Sequence, residues 1–131
     1  MDRESLANSR FACSERERAV FEAGIKMGTI YHQFVGTPFN GDSVGALEDA
    51  IESAICVQPY VVGATVRIRI PQRSGDDRYS YFSLTGDMID AEVTVMVGST
   101  RVISEMRFDT ELQYPLMFIS DVQTDASDNT C

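Results

Sequence analysis

Residues 91–108 read AEVTVMVGSTRVISEMRF, and their alternation decides what kind of fold the chain can form. Two runs of period two, 91–97 and 102–108, flank the turn-forming stretch Gly98–Arg101, a pattern that predicts an antiparallel hairpin. Pairing Val97 with Val102 brings Val95 to Ser104, Val93 to Met106 and Glu92 to Arg107. That register keeps the apolar side chains on one face and sets opposite charges against each other on the other, whereas a one-residue slip would mix the faces.

Upstream, Val62, Ala64, Val66, Ile68 and Ile70 alternate with Thr65, Arg67 and Arg69, so 60–70 reads as a half-buried strand. PQRSGDD at 71–77 is a turn-rich loop, and 79–84 reads as a further strand. Downstream, Tyr114–Pro115 leads into a short extended segment at 116–119. The remaining SDVQTDASDNTC is polar, has little to bury, and is expected to be disordered.

The strongest helical signal precedes all of these strands. Val20, Phe21, Gly24, Ile25, Gly28, Tyr31, Phe34 and Val35 recur at three- and four-residue spacing. Ser14, three residues before Glu17, has the form of a capping box, and Gly36 and Pro38 supply the stop. A second helix starts at Asp42 or Ser43 and runs through Leu47, Ile51 and Ile55 to Cys56, closed by Pro59. Two N-terminal helices followed by an antiparallel sheet make an α+β fold in one domain, residues 14–119, with a 1–13 extension and a 120–131 tail.

The 131 residues carry 11 Lys+Arg against 20 Asp+Glu, a net charge of −9. Such a surface repels phosphates, which excludes nucleic acid as the expected partner. No apolar stretch approaches the roughly 20 residues of a membrane span, and MDRESLANSR has no secretory-type apolar run, so no membrane and a cytoplasmic location are expected. Three cysteines without a CxxC pair, and a single His, leave no metal-ligand pattern within one subunit.

His32 is the one side chain whose ordinary titration suits proton transfer near neutral pH, although a His near a helix end also serves for capping or packing. Glu22 lies four residues before Lys26, the spacing of an ordinary helix-surface ion pair. That partner keeps Lys26, the chain's only lysine, charged and unsuited to Schiff-base chemistry. Gly24 and Gly28, one turn apart, cost helix propensity of about 1 kcal/mol each, which implies close approach of another helix or a flat ligand. Gln58 and Tyr114 each precede a proline, which restricts the direction of the side chain.

The string ERAVFEAGIKMGTIYHQFVGTP at 17–38, QPYV at 58–61 and FDTELQYPLMFI at 108–119 together resemble the archaeal-type dihydroneopterin aldolase family. The resemblance spans about residues 15–119, with three separated motifs in order. It implies cleavage of dihydroneopterin to 6-hydroxymethyl-dihydropterin and glycolaldehyde in methanopterin- or folate-type cofactor biosynthesis. It also implies a homo-oligomer, with a homotetramer expected, and neither metal nor bound cofactor. By motif match Glu22 and Gln58 bind the substrate, while His32 and Tyr114 are catalytic. The chemistry suits these types. A carboxylate such as Glu22 accepts two hydrogen bonds from the pterin's amino group and adjacent ring N–H, and Gln58 adds an amide. His32 and Tyr114 carry the protons, with His32 favoured as base and Tyr114 as acid, though the reverse order also satisfies the chemistry. A module that binds the same heterocycle without cleaving it is the alternative, and a purely structural module would leave Glu22, Gln58 and Tyr114 exposed and far apart.

Helix geometry complicates a single-subunit site. Ten residues separate Glu22 from His32, about 15 Å along a continuous helix and roughly 80° around it. Either the helix breaks after Gly28, or Glu22 from one subunit and His32 from another complete the site. The Gly24/Gly28 face favours the second.

Overall fold

The computed structural model describes residues 1–72 and 77–126. The elements run α1 (Arg3–Ser9), α2 (Glu15–Phe34), β1 (Pro38–Phe39), α3 (Val44–Cys56), β2 (Val61–Ile68), β3 (Phe82–Ser83), β4 (Ile89–Val97), β5 (Thr100–Asp109) and β6 (Tyr114–Gln123), with a 3-10 turn at Gly86–Met88. β2, β4, β5 and β6 form one antiparallel sheet in the order β2-β4-β5-β6, and β1 pairs with β3 in a separate two-stranded sheet. α2 lies over β4 and β5, and α3 covers β2. The α+β class therefore holds.

Several boundaries differ from the sequence reading. The 1–13 extension contains a third helix, and β1 falls between α2 and α3, so the helices do not all precede the strands. Only Phe82–Ser83 of the expected 79–84 strand pairs, because its partner, Pro38–Phe39, is itself two residues long. The last strand extends to Gln123, so residues 120–123 are ordered against β5, with Val122 paired to Val102 and packed against the core. The expected loop at 71–77 and the end of the expected tail lie partly outside the described residues.

The hairpin register also differs. Val97 faces Thr100, Val95 faces Val102 and Val93 faces Ser104, two residues tighter than the alternation suggested. Gly98 supplies the reason: at φ +58° it opens a two-residue turn with Ser99, the short connection whose twist matches paired strands. A shift of two preserves which face each side chain occupies, so the hydrophobic pattern is blind to it. The charges do notice: Glu92 now faces Glu105, and Arg107 answers both, at 3.9 Å and 2.9 Å.

The core lies between sheet and helices. β4 contributes Ile89, Ala91, Val93 and Val95, β5 contributes Val102 and Met106, and α2 closes over them with Ala19, Ala23, Met27 and Ile30. Small alanines on α2 let the helix sit close to the branched residues of the strands. α2 begins as expected: Ser14 accepts from the Glu17 N–H and Glu17 accepts from the Ser14 N–H, a complete capping box. The helix then runs without a break to Phe34.

The two edges of the large sheet are treated differently. On β2, Glu52 accepts from the Val66 N–H at 3.2 Å and Glu48 from the Ile68 N–H at 2.7 Å. Carboxylates from α3 thus occupy the donors that a further strand would use. β6, at the other edge, has no fully buried residue and exposes Tyr114, Met117, Phe118 and Ile119.

Candidate active site

α2 carries a line of charge where a helix would ordinarily bury apolar residues. Arg18, Glu22 and Lys26 succeed one another at four-residue spacing and are 2%, 7% and 5% exposed. Burying three charges is costly unless they answer one another. Lys26 Nζ donates to Glu22 Oε1 at 3.1 Å, and Arg18 Nε lies 3.8 Å from Glu22 Oε2. The pair read from sequence as an ordinary surface contact is therefore buried. Its carboxylate is held between two cations, and Oε2 lies beyond hydrogen-bond length of the nearer guanidinium nitrogen.

Arg18 is itself held from the opposite side. Its guanidinium lies 4.4 Å from the centre of the Phe11 ring and 4.9 Å from that of Tyr60. Nη1 donates to Asn8 Oδ1 at 2.9 Å and lies 3.5 Å from Glu4 Oε1, and Nη2 donates to the Tyr60 hydroxyl. The Tyr60 hydroxyl in turn donates to Glu4, 2.8 Å and 3.0 Å from its two oxygens. Burial is the main influence pushing the Tyr60 phenol pKa upward, and the Glu4 hydrogen bond adds to it against the opposing charge of Arg18.

Tyr60 occupies an unusual backbone position. Val61 N–H donates to Gln58 O at 3.4 Å, with Pro59 and Tyr60 between them, and Tyr60 has φ +73°. This is the arrangement of a type II turn, with proline at the second position and a residue of positive φ, ordinarily glycine, at the third. A tyrosine there carries backbone strain of about 1–3 kcal/mol, the kind of cost found where a side chain is needed for function.

Two open cavities lie along α2, one of about 370 Å³ near its C-terminal end and one of about 560 Å³ nearer its start. The larger is lined by Arg3, Glu4, Ala7, Glu22, Lys26, Pro59 and Tyr60. Gln58 is half-buried in the same turn, next to two of those residues, without lining the cavity itself. The smaller is lined by Tyr31, His32, Tyr114 and Pro115–Met117. His32 and Tyr114 are both exposed there, and the His32 ring stands edge-on to Tyr31 with centroids 5.2 Å apart. Tyr31 is seated by a glycine: a Cβ on Gly86 would lie 2.4 Å from Tyr31 Cε2 and 3.3 Å from Pro115 Cγ.

The structure thus brings Glu22 close to the Gln58 turn, and His32 to Tyr114, but keeps the two pairs apart on one continuous helix. The first of the two alternatives, a break after Gly28, is ruled out. Arg18, Tyr60, Tyr31 and Gly86 were not singled out from sequence. Arg18 was within reach, since Arg18–Glu22–Lys26 forms a straight helical line of charge. Tyr60 was hinted at by its place after proline, but nothing local to Gly86 or Tyr31 signalled their contact. The close approach expected at Gly24 and Gly28 does not occur within the subunit: a Cβ at either would meet nothing within 4 Å. Among the described residues, no three His, Cys, Asp or Glu side chains converge as metal ligands would, and no helix is long and apolar enough to cross a membrane.

This α+β domain holds a cation-flanked carboxylate at one cavity and a His–Tyr pair at another, groups able to hydrogen-bond a small organic molecule and to exchange protons with it. Its relatives are specific. The dihydroneopterin aldolase family model matches residues 14–120, and the chain belongs to that family. It is 37% identical over 116 residues to a dihydroneopterin aldolase of Picrophilus torridus, covering 88% of this chain and 96% of that protein. A dihydroneopterin aldolase of Methanopyrus kandleri is 34% identical over 110 residues, covering 84% of this chain and 91% of its own. The crystal structure of a Picrophilus torridus protein superposes with a TM-score of 0.80 at 37% identity, over 89% of this chain and 96% of that one. The chain is accordingly an aldolase.

Proposed function

We propose that this enzyme cleaves dihydroneopterin to 6-hydroxymethyl-dihydropterin and glycolaldehyde without a metal or a protein Schiff base, feeding biosynthesis of a methanopterin- or folate-type cofactor. Glu22 accepts hydrogen bonds from the pterin's amino group and neighbouring ring N–H, and Gln58, on the adjoining turn, reaches the ring edge. His32 removes the proton from the hydroxyl on the second side-chain carbon. That oxygen's electron pair forms the aldehyde C=O, the bond between the first and second side-chain carbons breaks, and its electrons pass into the C6=N5 imine of the reduced ring. Tyr114 then returns a proton to the first side-chain carbon, restoring the imine. The substrate supplies the electron sink, so Lys26 can remain an ammonium paired with Glu22.

The observation that carries this reading is the separation of the two half-sites on an unbroken helix. On the ideal helix, Phe21, Gly24, Ile25, Gly28, His32 and Val35 fall within one arc of about 120°, whereas Glu22 points away from its centre. Phe21 and Ile25 are exposed, and Gly24 and Gly28 beside them leave room for a second backbone. A second copy seated there, or against the open β6 edge, would bring its own half-site to meet this one. Two distinct self-contact surfaces build a tetramer rather than a dimer, and we assign the protein a homotetramer with sites shared between subunits.

Incubation with dihydroneopterin should release both products, and His32→Ala or Tyr114→Phe should reduce turnover by about 10²–10⁴-fold while the ring still binds. Mixed Glu22→Ala and His32→Ala subunits should recover part of the lost activity. No recovery after demonstrated subunit exchange sinks the shared site, and no glycolaldehyde from the wild-type protein sinks the reaction.

A further inference from the structure

The matched family domain begins at Ser14, yet three residues ahead of it, Glu4, Asn8 and Phe11, converge on one buried side chain inside it, Arg18. We propose that this N-terminal segment is part of the binding site, with Glu4 acting as a positioning residue that engages Arg18 and Tyr60 and holds Arg18 back from the substrate-binding Glu22. The inference rests on the pterin-binding assignment of Glu22 given above.

The geometry argues for this role over simple packing. α1 has no buried residue, so little apolar burial fixes it in place, and its attachment is polar and directed at the cavity. The Glu4 side chain is 61% exposed, while the Arg18 side chain it meets is 3% exposed. Removing Glu4 therefore takes little from the core. It does remove the acceptor for the Tyr60 hydroxyl and one of two carboxylates answering Arg18. Glu22 is the other, and an Arg18 released from Glu4 is free to close its 3.8 Å separation from Glu22 Oε2. A carboxylate engaged by Lys26 on one oxygen and by Arg18 on the other offers a weaker acceptor pair to a ligand. Glu4 thus keeps Glu22 available by holding Arg18 back. Arg3, Glu4 and Ala7 also form one wall of the Glu22 cavity, which makes α1 a boundary of the pocket as well as a clamp.

The test compares wild type with Glu4→Ala, Glu4→Gln and a protein lacking residues 1–12. Its readouts are steady-state kinetics on dihydroneopterin, neopterin binding by fluorescence, and alkaline difference titration of Tyr60 against a Tyr60→Phe blank. Glu4→Ala should raise KM and the neopterin Kd roughly five- to twentyfold with kcat changed less than about twofold. It should also lower the Tyr60 pKa. Glu4→Gln keeps an acceptor for Tyr60 without the charge and should lie between. Unchanged KM and Kd in Glu4→Ala and in the shortened protein overturn the proposal, as does a collapse of the melting temperature in Glu4→Ala, which would make the residue structural. Failure of the pterin assignment shows separately, as a wild-type protein that neither binds neopterin nor cleaves dihydroneopterin.

Discussion

Gly86 and Tyr31 illustrate how much of this site is decided by single atoms. The Tyr31 ring occupies the space a methyl group on residue 86 would need, and it stands edge-on to His32. Gly86→Ala must push that ring toward His32 or displace Pro115, next to Tyr114. We expect stability to fall by about 1–3 kcal/mol, the usual range for overpacking. We also expect kcat/KM to fall about tenfold or more, beyond what the melting curve accounts for. A loss of stability with kcat/KM intact would mean that the His32–Tyr114 cavity tolerates movement of Tyr31. Such a contact was illegible in the sequence because the two residues are distant in the chain and neither breaks a local pattern. His32 stood out as the single histidine, Glu22 by its spacing to Lys26 and Tyr114 by its place before proline, but their roles were legible only through motifs. Tyr60 makes a second residue-scale prediction, set by pH. Its folded-state pKa lies above the ordinary value of 10.0, so the folded chain holds the phenol proton more tightly than the unfolded chain. That contribution is complete below the ordinary value and is lost as pH rises through the folded one. Ionisation also places a phenolate beside Glu4, with Glu22 near and Arg18 and Lys26 opposing. Alkaline melting curves should show a decline that Tyr60→Phe removes, and an unaltered decline in that variant would assign it elsewhere.

α2 is the element on which most of the molecule depends, because three of its faces do different things. Ala19, Ala23, Met27 and Ile30 face the sheet, Arg18, Glu22 and Lys26 form the charged line, and Phe21, Gly24 and Ile25 face outward. The helix and its cap are legible in the sequence, since the capping box is a local pattern. Its apolar recurrence, however, traced mainly the outward face, because two alanines among the core positions give a weak periodic signal beside Phe21 and Ile25. The hairpin shows the complementary limit: alternation fixes the face and leaves the register to the turn. Ile30→Ala should cost about 2–5 kcal/mol by cavity formation in the buried face. Gly24→Leu separates that from the outward face. With nothing within 4 Å of its Cβ position, leucine should raise the helical propensity of an isolated subunit by under about 1 kcal/mol. In the proposed tetramer it should instead clash with a copy seated on this face. The expected result is a lower, concentration-dependent melting temperature in Gly24→Leu, and a simple rise at all concentrations would show that no copy seats on this face.

At the scale of the whole molecule, the sheet has one closed edge and one open edge, an asymmetry no sequence pattern revealed. The closed edge depends on Glu48 and Glu52 reaching from α3 to β2 backbone donors, a tertiary arrangement that looks from sequence like solvated helix charge. The open edge reads from sequence as a shorter strand with a loose tail because Val122 is the one apolar residue among 120–123, although these residues pair with β5 through Gln123. An exposed edge strand carrying Met117, Phe118 and Ile119 invites association unless it is already covered. With Tyr114 at its start, covering β6 also brings a neighbour close to the His32–Tyr114 cavity. Met117→Glu with Ile119→Glu places two charges on residues 36% and 37% exposed in the single subunit, so the isolated fold should survive with its far-ultraviolet dichroism unchanged. Sedimentation should then show a species smaller than the wild-type protein, and product release should fall with the loss of mass. Wild-type sedimentation in the double variant would remove β6 from the interface and leave the Gly24/Gly28 face as the one surface joining the subunits. A small species with full turnover would place the complete site within one chain, against the separation of Glu22 and His32 along α2.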